Sequence, residues 1–114
     1  MYKTEKSFQE RYAESSTMLQ RFADRIPIIV EKKSTSKKAP LIDKRKFLAP
    51  SSLTLAQLIF VIRRRLKLTP EEAIFVFVNG KLVQPNTTLS ACYAENKDED
   101  GFLYVTYDFE NTFG

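Results

Sequence analysis

One strongly amphipathic segment, SSLTLAQLIFVIRRRLKL, restricts the folds open to this chain more than any other stretch. Its apolar residues recur at helical spacing and share one face; they are Leu55, Leu58, Ile59, Ile62 and Leu66. Ser51 or Ser52 is expected to cap the start, and the basic residues between positions 63 and 67 suit the negative end of the helix dipole. A helix with one apolar face must bury it, so neighbouring segments have to supply a covering surface.

Strand-like segments flank this helix on both sides. IPIIVEK and KRKFLAP precede it, and AIFVFVNGKLV and GFLYVTY follow it. The β-branched run in IPIIVEK suits a sheet that is covered on both faces, and the proline that ends KRKFLAP favours an edge strand. Asn79-Gly80 predicts a tight hairpin turn. The stretch from Ile74 to Val78 is apolar on both faces, which predicts a central strand.

The N-terminal region lacks glycine and proline and predicts one or two helices, with Phe8, Tyr12, Leu19 and Phe22 near helical spacing. A short helix capped by Thr87 or Thr88 is expected in NTTLSACYAEN. The resulting element order predicts an α+β fold, a ubiquitin-like β-grasp with an N-terminal helical extension. The predicted boundaries are 1–24 for the extension, 25–107 for the core and 108–114 for a flexible C-terminal tail, with the last strand ending at Tyr107.

Composition excludes most catalytic chemistry. The chain has no histidine, so histidine-based acid–base catalysis and histidine metal ligands are excluded. Its one cysteine, Cys92, lies in an apolar stretch and is interpreted as a small buried hydrophobic residue. The few glycines form no phosphate-binding loop. We therefore expect no catalytic residue, no metal site, no cofactor and no enzymatic activity. Short apolar runs and a single cysteine favour a cytoplasmic protein.

The positive charge is unevenly distributed. Seven of the eighteen basic residues lie in KKSTSKKAPLIDKRK, and RRR follows at positions 63–65. The loop at 32–38 is interpreted as a solvated surface, with contact to anionic lipid as the alternative. A nucleic-acid-binding domain is disfavoured, because aromatic residues are not interleaved with the basic clusters as stacking platforms. Phe8 and Tyr12 either dock the N-terminal helix on the sheet or serve another contact.

Several stretches together resemble a known family. DRIPIIVEK, DKRKFLAPSSLTLAQLIFVIRRRL, FVFVNGKLV and EDGFLYVTYDFENTFG are similar to the autophagy ubiquitin-like modifiers, the family of microtubule-associated protein light chain and the GABA-receptor-associated protein. The similarity runs from about Tyr12 to Gly114 in order. It implies a modifier that is joined through its C-terminal glycine to phosphatidylethanolamine and acts in autophagosome formation. Lipidation would place it on the autophagosome membrane.

The resemblance also implies partners. They are ubiquitin-like activating and conjugating enzymes, a processing or deconjugating cysteine protease, and cargo receptors or adaptors with aromatic-x-x-aliphatic motifs. Gly114 would be the conjugated residue, because glycine has no Cβ to obstruct a narrow enzyme channel or attack at the acyl carbon. A gene-encoded terminus and one exposed by the protease are both compatible with these residues. A non-conjugated ubiquitin-like interaction module is the alternative function.

By the same resemblance, a ligand peptide would add as a strand along KRKFLAP, with two pockets for its side chains. The implied aromatic pocket consists of Glu14, Met18, Pro27, Ile29, Lys46, Leu48 and Phe102. The implied aliphatic pocket consists of Phe47, Ala49, Pro50, Leu53, Leu58, Val61, Ile62 and Arg65. Arg25, Lys44 and Lys46 would meet acidic residues that flank the motif. Leu58, Ile62 and Phe102 are equally compatible with a purely structural place in the core.

Overall fold

The computed structural model describes residues 1–109 and contains eight helices and strands in that range. Their order is α1 (Tyr2–Glu5), α2 (Phe8–Arg21), β1 (Arg25–Lys32), β2 (Lys46–Pro50), α3 (Leu55–Leu66), β3 (Ile74–Val78), α4 (Leu89–Asn96) and β4 (Leu103–Phe109). The strands form one mixed sheet in the order β2-β1-β4-β3. The central pair, β1 and β4, is parallel, and both outer pairs are antiparallel. This arrangement confirms the predicted α+β fold with N-terminal helices.

The sheet is covered on both faces, as the sequence of β1 predicts. Ile28, Ile29 and Val30 are consecutive residues of β1, and all three are fully buried. Ile28 and Val30 belong to the main core beneath α3, whereas Ile29 packs in a second cluster beneath the N-terminal helices. Side chains alternate between the faces of a strand, so a run that is apolar at every position requires cover on both sides.

Helix α3 begins two or three residues later than expected. Its cap is Thr54, whose hydroxyl accepts a hydrogen bond from Gln57 N at 3.3 Å, while Gln57 Oε1 accepts one from Thr54 N at 2.9 Å. The prediction that Ser51 or Ser52 caps this helix is therefore wrong, because both serines lie in the turn that follows β2. A reciprocal capping box satisfies two N-terminal donors at once, which makes Thr54 the better start. The short helix α4 has the predicted cap, Thr88.

Strand β3 lies at an edge of the sheet, so its predicted central position is wrong. Val76 and Val78 face the core, whereas Phe75 on the other face is 42% exposed. The turn itself is as expected, with positive φ at both Asn79 and Gly80. The second arm makes only an isolated bridge from Lys81 to Val78, because the chain then turns inward and Val83 packs against the core.

Strand β4 continues beyond its predicted end at Tyr107. Asp108 pairs with Phe75 and Phe109 with Ile74, so the sheet extends two residues into the segment expected to be flexible. Pairing with β3 holds these two residues in the sheet. The polar composition of the segment does not predict this pairing. Positions 110–114, which carry most of the predicted tail, lie outside the described residues.

Candidate functional site

The outer edge of β2 presents main-chain groups that face away from the sheet. Val30 N donates a hydrogen bond to Arg45 O at 2.7 Å, which identifies this opposed pair as hydrogen-bonded. In an antiparallel pair the hydrogen-bonded positions alternate, so Phe47 and Ala49 also face β1. The N–H and C=O groups of Lys46 and Leu48 must then point outward. An edge of this kind can accept a further strand.

The side chains of β2 alternate between the two faces of the sheet. Phe47 and Ala49 are buried in the main core on the α3 side. Lys46 and Leu48 are half-buried on the opposite side, where Lys46 forms an ion pair with Glu14 of α2. The two predicted pockets therefore lie on opposite faces of the same edge strand.

The recess between β2 and α2 has a buried floor and a polar rim, and Tyr2 of α1 covers the floor, with its ring edge-on to Phe102 at 5.5 Å between centroids. Pro27, Ile29 and Phe102 form the floor, and Phe102 is fully buried. Half-buried residues surround it: Glu14, Met18, Lys46 and Leu48. Glu14 bridges the rim, since it pairs with Lys46 and also accepts a hydrogen bond from Tyr2 Oη. Six of the seven residues of the predicted aromatic pocket thus belong to β1, β2 or α2, and Phe102 immediately precedes β4.

The recess between β2 and α3 divides into core and rim. Four of its predicted residues are buried in the main core: Phe47, Ala49, Leu58 and Ile62. Pro50 and Leu53 are half-buried, and Val61 and Arg65 are exposed. Val61 and Arg65 also line a cavity of about 410 Å³, whose other residues are Asp43, Phe60, Arg64 and Lys67. Leu58 and Ile62 therefore support the recess from beneath, while its open surface comes from the rim.

Sequence reasoning missed Phe60 and Arg64 at this rim. Phe60 is exposed on the outer side of α3, and the Arg64 guanidinium lies 5.9 Å from its ring centroid. A phenylalanine next to the apolar stripe of the helix was the available signal. The helical periodicity did not reveal Phe60, because that pattern identifies only the residues that face the core.

The three predicted flank cations all lie around β2. Arg25 Nη1 donates to the outward-facing Leu48 O at 3.2 Å, and Lys44 Nζ lies 5.2 Å from the ring centroid of Phe47. Lys46 is held by Glu14. A fourth cation, Arg45, was missed. Both of its terminal nitrogens donate to the carboxylate of Glu5, at 2.7 and 2.6 Å.

A buried polar cluster attaches α2 to the loop before β4. Asp100 is fully buried and accepts hydrogen bonds from Arg11 Nη1 and Tyr104 Oη, both at 2.5 Å. Ser15 Oγ donates to Asp100 O at 2.5 Å. Burial, reinforced by the hydrogen bond to Asp100, raises the pKa of Tyr104 well above its ordinary value. This cluster positions the helix that carries Glu14 and Met18.

The aromatic residues of α2 do not dock the helix, contrary to one of the two expectations for them. Phe8 and Tyr12 are exposed and stack on each other, with ring centroids 6.0 Å apart. The buried positions are Arg11 and Ser15, which are polar. Hydrophobic periodicity cannot identify such a face, because its partner is the carboxylate and carbonyl of Asp100.

A match to one protein family identifies the family of this chain. The family described as "Autophagy protein Atg8 ubiquitin like" matches residues 10–114. The chain belongs to the Atg8 family. It is an autophagy ubiquitin-like protein, which confirms the resemblance drawn from its sequence.

Individual Atg8 relatives match almost the whole chain. Autophagy-related protein 8A of Oryza sativa subsp. indica is 51% identical over 113 residues, covering 99% of this chain and 94% of that protein. Autophagy-related protein 8 of Saccharomyces cerevisiae strain YJM789 is 53% identical over 113 residues, covering 99% and 96%. The crystal structure of Trypanosoma brucei ATG8 is similar with a TM-score of 0.90 at 40% identity, covering 99% and 97%.

Cys92 of this Atg8 family protein is buried, as predicted, and burial raises the pKa of its thiol. A buried thiol with a raised pKa is a poor nucleophile. Within residues 1–109, no group of three or more cysteine or acidic side chains is placed to hold a metal ion. None of the helices in the described part of the chain has the length and apolar character needed to cross a bilayer. Gly114, the predicted conjugation residue, lies outside the described residues.

Proposed function

We propose that this protein is a ubiquitin-like modifier that is joined through Gly114 to phosphatidylethanolamine and recruits cargo receptors and adaptors during autophagosome formation. The observation that carries the recruiting role is the outer edge of β2, which pairs with no second strand within residues 1–109 and where Lys46 and Leu48 direct main-chain groups outward between two recesses. Membership of the Atg8 family supports the conjugation role, since the matched region extends to residue 114.

The positions of the recesses fit an aromatic-x-x-aliphatic peptide that adds as a strand. Residues three apart in a strand point to opposite faces, because side chains alternate with a period of two. The recess against α2 and the recess against α3 also lie on opposite faces of the sheet. An aromatic side chain would therefore face the first recess, packing beside Tyr2, while the aliphatic side chain faces the second. Main-chain hydrogen bonds to Lys46 and Leu48 would hold the peptide between them.

Charge complements this geometry. Four cations surround the edge strand: Arg25, Lys44, Arg45 and Lys46. Acidic residues beside the peptide motif would meet a positive potential there, which raises the association rate and favours acidic ligands over basic ones. Arg25 must leave Leu48 O when a peptide strand takes that acceptor. The released guanidinium would then be available to a carboxylate of the ligand.

Conjugation at Gly114 would proceed on partner enzymes. An activating enzyme would use ATP to convert the carboxylate into an acyl adenylate with release of pyrophosphate, and its cysteine thiolate would then displace AMP to form a thioester. A cysteine of a conjugating enzyme would take over the acyl group by thioester exchange, releasing the first thiol. The amine of phosphatidylethanolamine would then attack this second thioester and form an amide as the second thiol leaves. Gly114 follows Phe109 by five positions in the sequence, and an extended chain of that length reaches at most ~18 Å. We propose a cytoplasmic protein that is transferred to the autophagosome membrane by this step.

Deletion of Gly114 tests the conjugation role. In a reconstituted system with Atg8-type activating and conjugating enzymes and phosphatidylethanolamine vesicles, the deletion should abolish the thioester and the lipid adduct. Far-UV circular dichroism and peptide binding should stay as in the wild type. Thr112→Ser, which retains the terminal glycine, is the matched control. Normal lipidation of the deleted chain would refute conjugation through Gly114, whereas a wild-type chain that forms neither adduct would favour the alternative, a non-conjugated interaction module.

Peptide binding is tested through the backbone. N-methyl groups placed at alternate positions of a Trp-x-x-Leu peptide should abolish binding in one register and leave it unchanged in the other, because only alternate N–H groups of an added strand face the sheet. Leu48→Ala should weaken binding about tenfold or more, as for an interface anchor. Phe75→Ala, on the opposite edge strand, is the control. Equal sensitivity to methylation in both registers would exclude strand addition.

A further inference from the structure

The cation just before the edge strand, Arg45, is already engaged in an ion pair with Glu5. Arg45 immediately precedes β2, and its guanidinium binds the Glu5 carboxylate through two parallel hydrogen bonds of 2.7 and 2.6 Å. Both side chains remain accessible, with 48% of Glu5 and 37% of Arg45 exposed. A paired group that is this exposed can exchange partners with a carboxylate that arrives from solvent.

Helix α1 does not depend on Glu5 for its attachment. Tyr2 is almost fully buried, its ring lies edge-on to Phe102 with centroids 5.5 Å apart, and its N–H donates to Glu31 Oε2 at 2.8 Å. Lys3 Nζ forms a further ion pair with Asp98 at 2.5 Å. The Glu5 side chain can therefore rotate away from Arg45 while the helix stays docked.

Space for this exchange lies next to the pair. A cavity of about 530 Å³ is lined by Glu5 and Arg45 together with the apolar side chains of Val30, Leu41 and Ile42. Glu31, another lining residue, lies 3.8 Å from Arg45 Nη1. Arg45 thus faces two internal carboxylates at the point where the flank of a bound peptide would pass.

We propose that Glu5 is an internal competitor for Arg45, so that this protein discriminates less strongly in favour of acidic-flanked peptides than its basic edge alone would. The inference rests on the peptide binding proposed above. A peptide with a neutral flank leaves the Glu5–Arg45 pair in place. A peptide with an acidic flank replaces Glu5 at Arg45, so one ion pair forms while an equivalent one breaks. Glu5 is therefore a positioning residue that sets how much an acidic flank contributes to affinity.

The test compares two synthetic peptides on the full chain by isothermal titration calorimetry. Both carry Trp-x-x-Leu, preceded by three aspartates in one and three serines in the other. Glu5→Gln should strengthen binding of the aspartate peptide by about two- to fivefold, the range of an exposed ion pair, and leave the serine peptide unchanged. Glu71→Gln removes an exposed acidic side chain before β3 and therefore controls for net charge. It should leave the affinities of both peptides, and so their ratio, unchanged.

Arg45→Met completes a double-mutant cycle. It should lower the advantage of the aspartate peptide, and adding Glu5→Gln to Arg45→Met should have no further effect, because the residue for which both carboxylates compete is gone. If both peptides bind the wild type and Glu5→Gln leaves their ratio unchanged or reduces it, the competition is refuted while peptide binding stands. If neither peptide binds any variant, the proposed peptide binding fails and the competition fails with it.

Discussion

Replacing Gly101 with alanine should loosen the attachment of α2 to the sheet. Gly101 has φ +88°, and a positive φ costs an L-residue roughly 1–2 kcal/mol. An added Cβ would also lie 2.3 Å from Ser15 Oγ, the atom that donates to Asp100 O. Displacing that hydroxyl removes a buried hydrogen bond of about 1 kcal/mol. The free energy of unfolding should therefore fall by about 2–3 kcal/mol.

Two further variants separate the backbone cost from the contact with Ser15. Gly80→Ala has a similar φ of +76° but, among the described residues, no atom within 4 Å of the added Cβ, so it should carry the backbone cost alone. Ser15→Ala removes Oγ and should make Gly101→Ala less costly in the double variant than the two single losses predict. Urea unfolding followed by circular dichroism measures the three single variants and the double variant against the wild type. Equal losses for the two glycine variants, or strict additivity with Ser15→Ala, would refute this reasoning.

Two other predictions follow from the ion pairs. Arg11→Met leaves the carboxylate of the fully buried Asp100 without its cation and should lower the free energy of unfolding by about 3–5 kcal/mol, measured in urea; a loss below about 1 kcal/mol would contradict it. Hydrogen bonding and charge from Arg45, and after it from the N-terminal ammonium of Met1, lower the pKa of Glu5 to about 2 from an ordinary value of 4.5, so these ion pairs stabilise the fold above pH 4.5 and are lost as the pH falls toward 2. Carboxyl NMR should show the Glu5 midpoint moving back toward 4.5 in Arg45→Met, and an unchanged midpoint would contradict the assignment.

Local sequence patterns predicted the elements of the fold but not all of their neighbours. The apolar face of α3 and the β-branched run of β1 were sufficient, because each pattern dictates which side is buried. The position of β3 was not predictable in this way. Phe75 makes the strand apolar on both faces, yet its outer face is largely exposed at the sheet edge. Strand order depends on pairing between distant segments, and no window of sequence contains it.

In the candidate site, too, local sequence predicted some features and missed those that depend on distant residues. Pro50 predicted β2 as an edge strand, and the edge then determined which of its main-chain groups face outward. The polar attachment of α2 was missed, because Arg11 and Asp100 lie far apart in sequence and each alone looks like a surface residue. The occupation of Arg45 by Glu5 was missed for the same reason. Charge clusters show which groups are available, and only the folded arrangement shows which of them are already paired.

The parallel pairing of β1 with β4 also affects how the chain is synthesised. The first strand to leave the ribosome finds its central partner only when the last one follows, since Ile28 pairs with Leu103. Until then β1 is an apolar strand with one edge unpaired, and such edges are prone to aggregation. A chain interrupted before Leu103 lacks the strand that joins β1 to β3 and cannot complete its sheet. Completion of the sheet therefore requires that translation has passed the last strand.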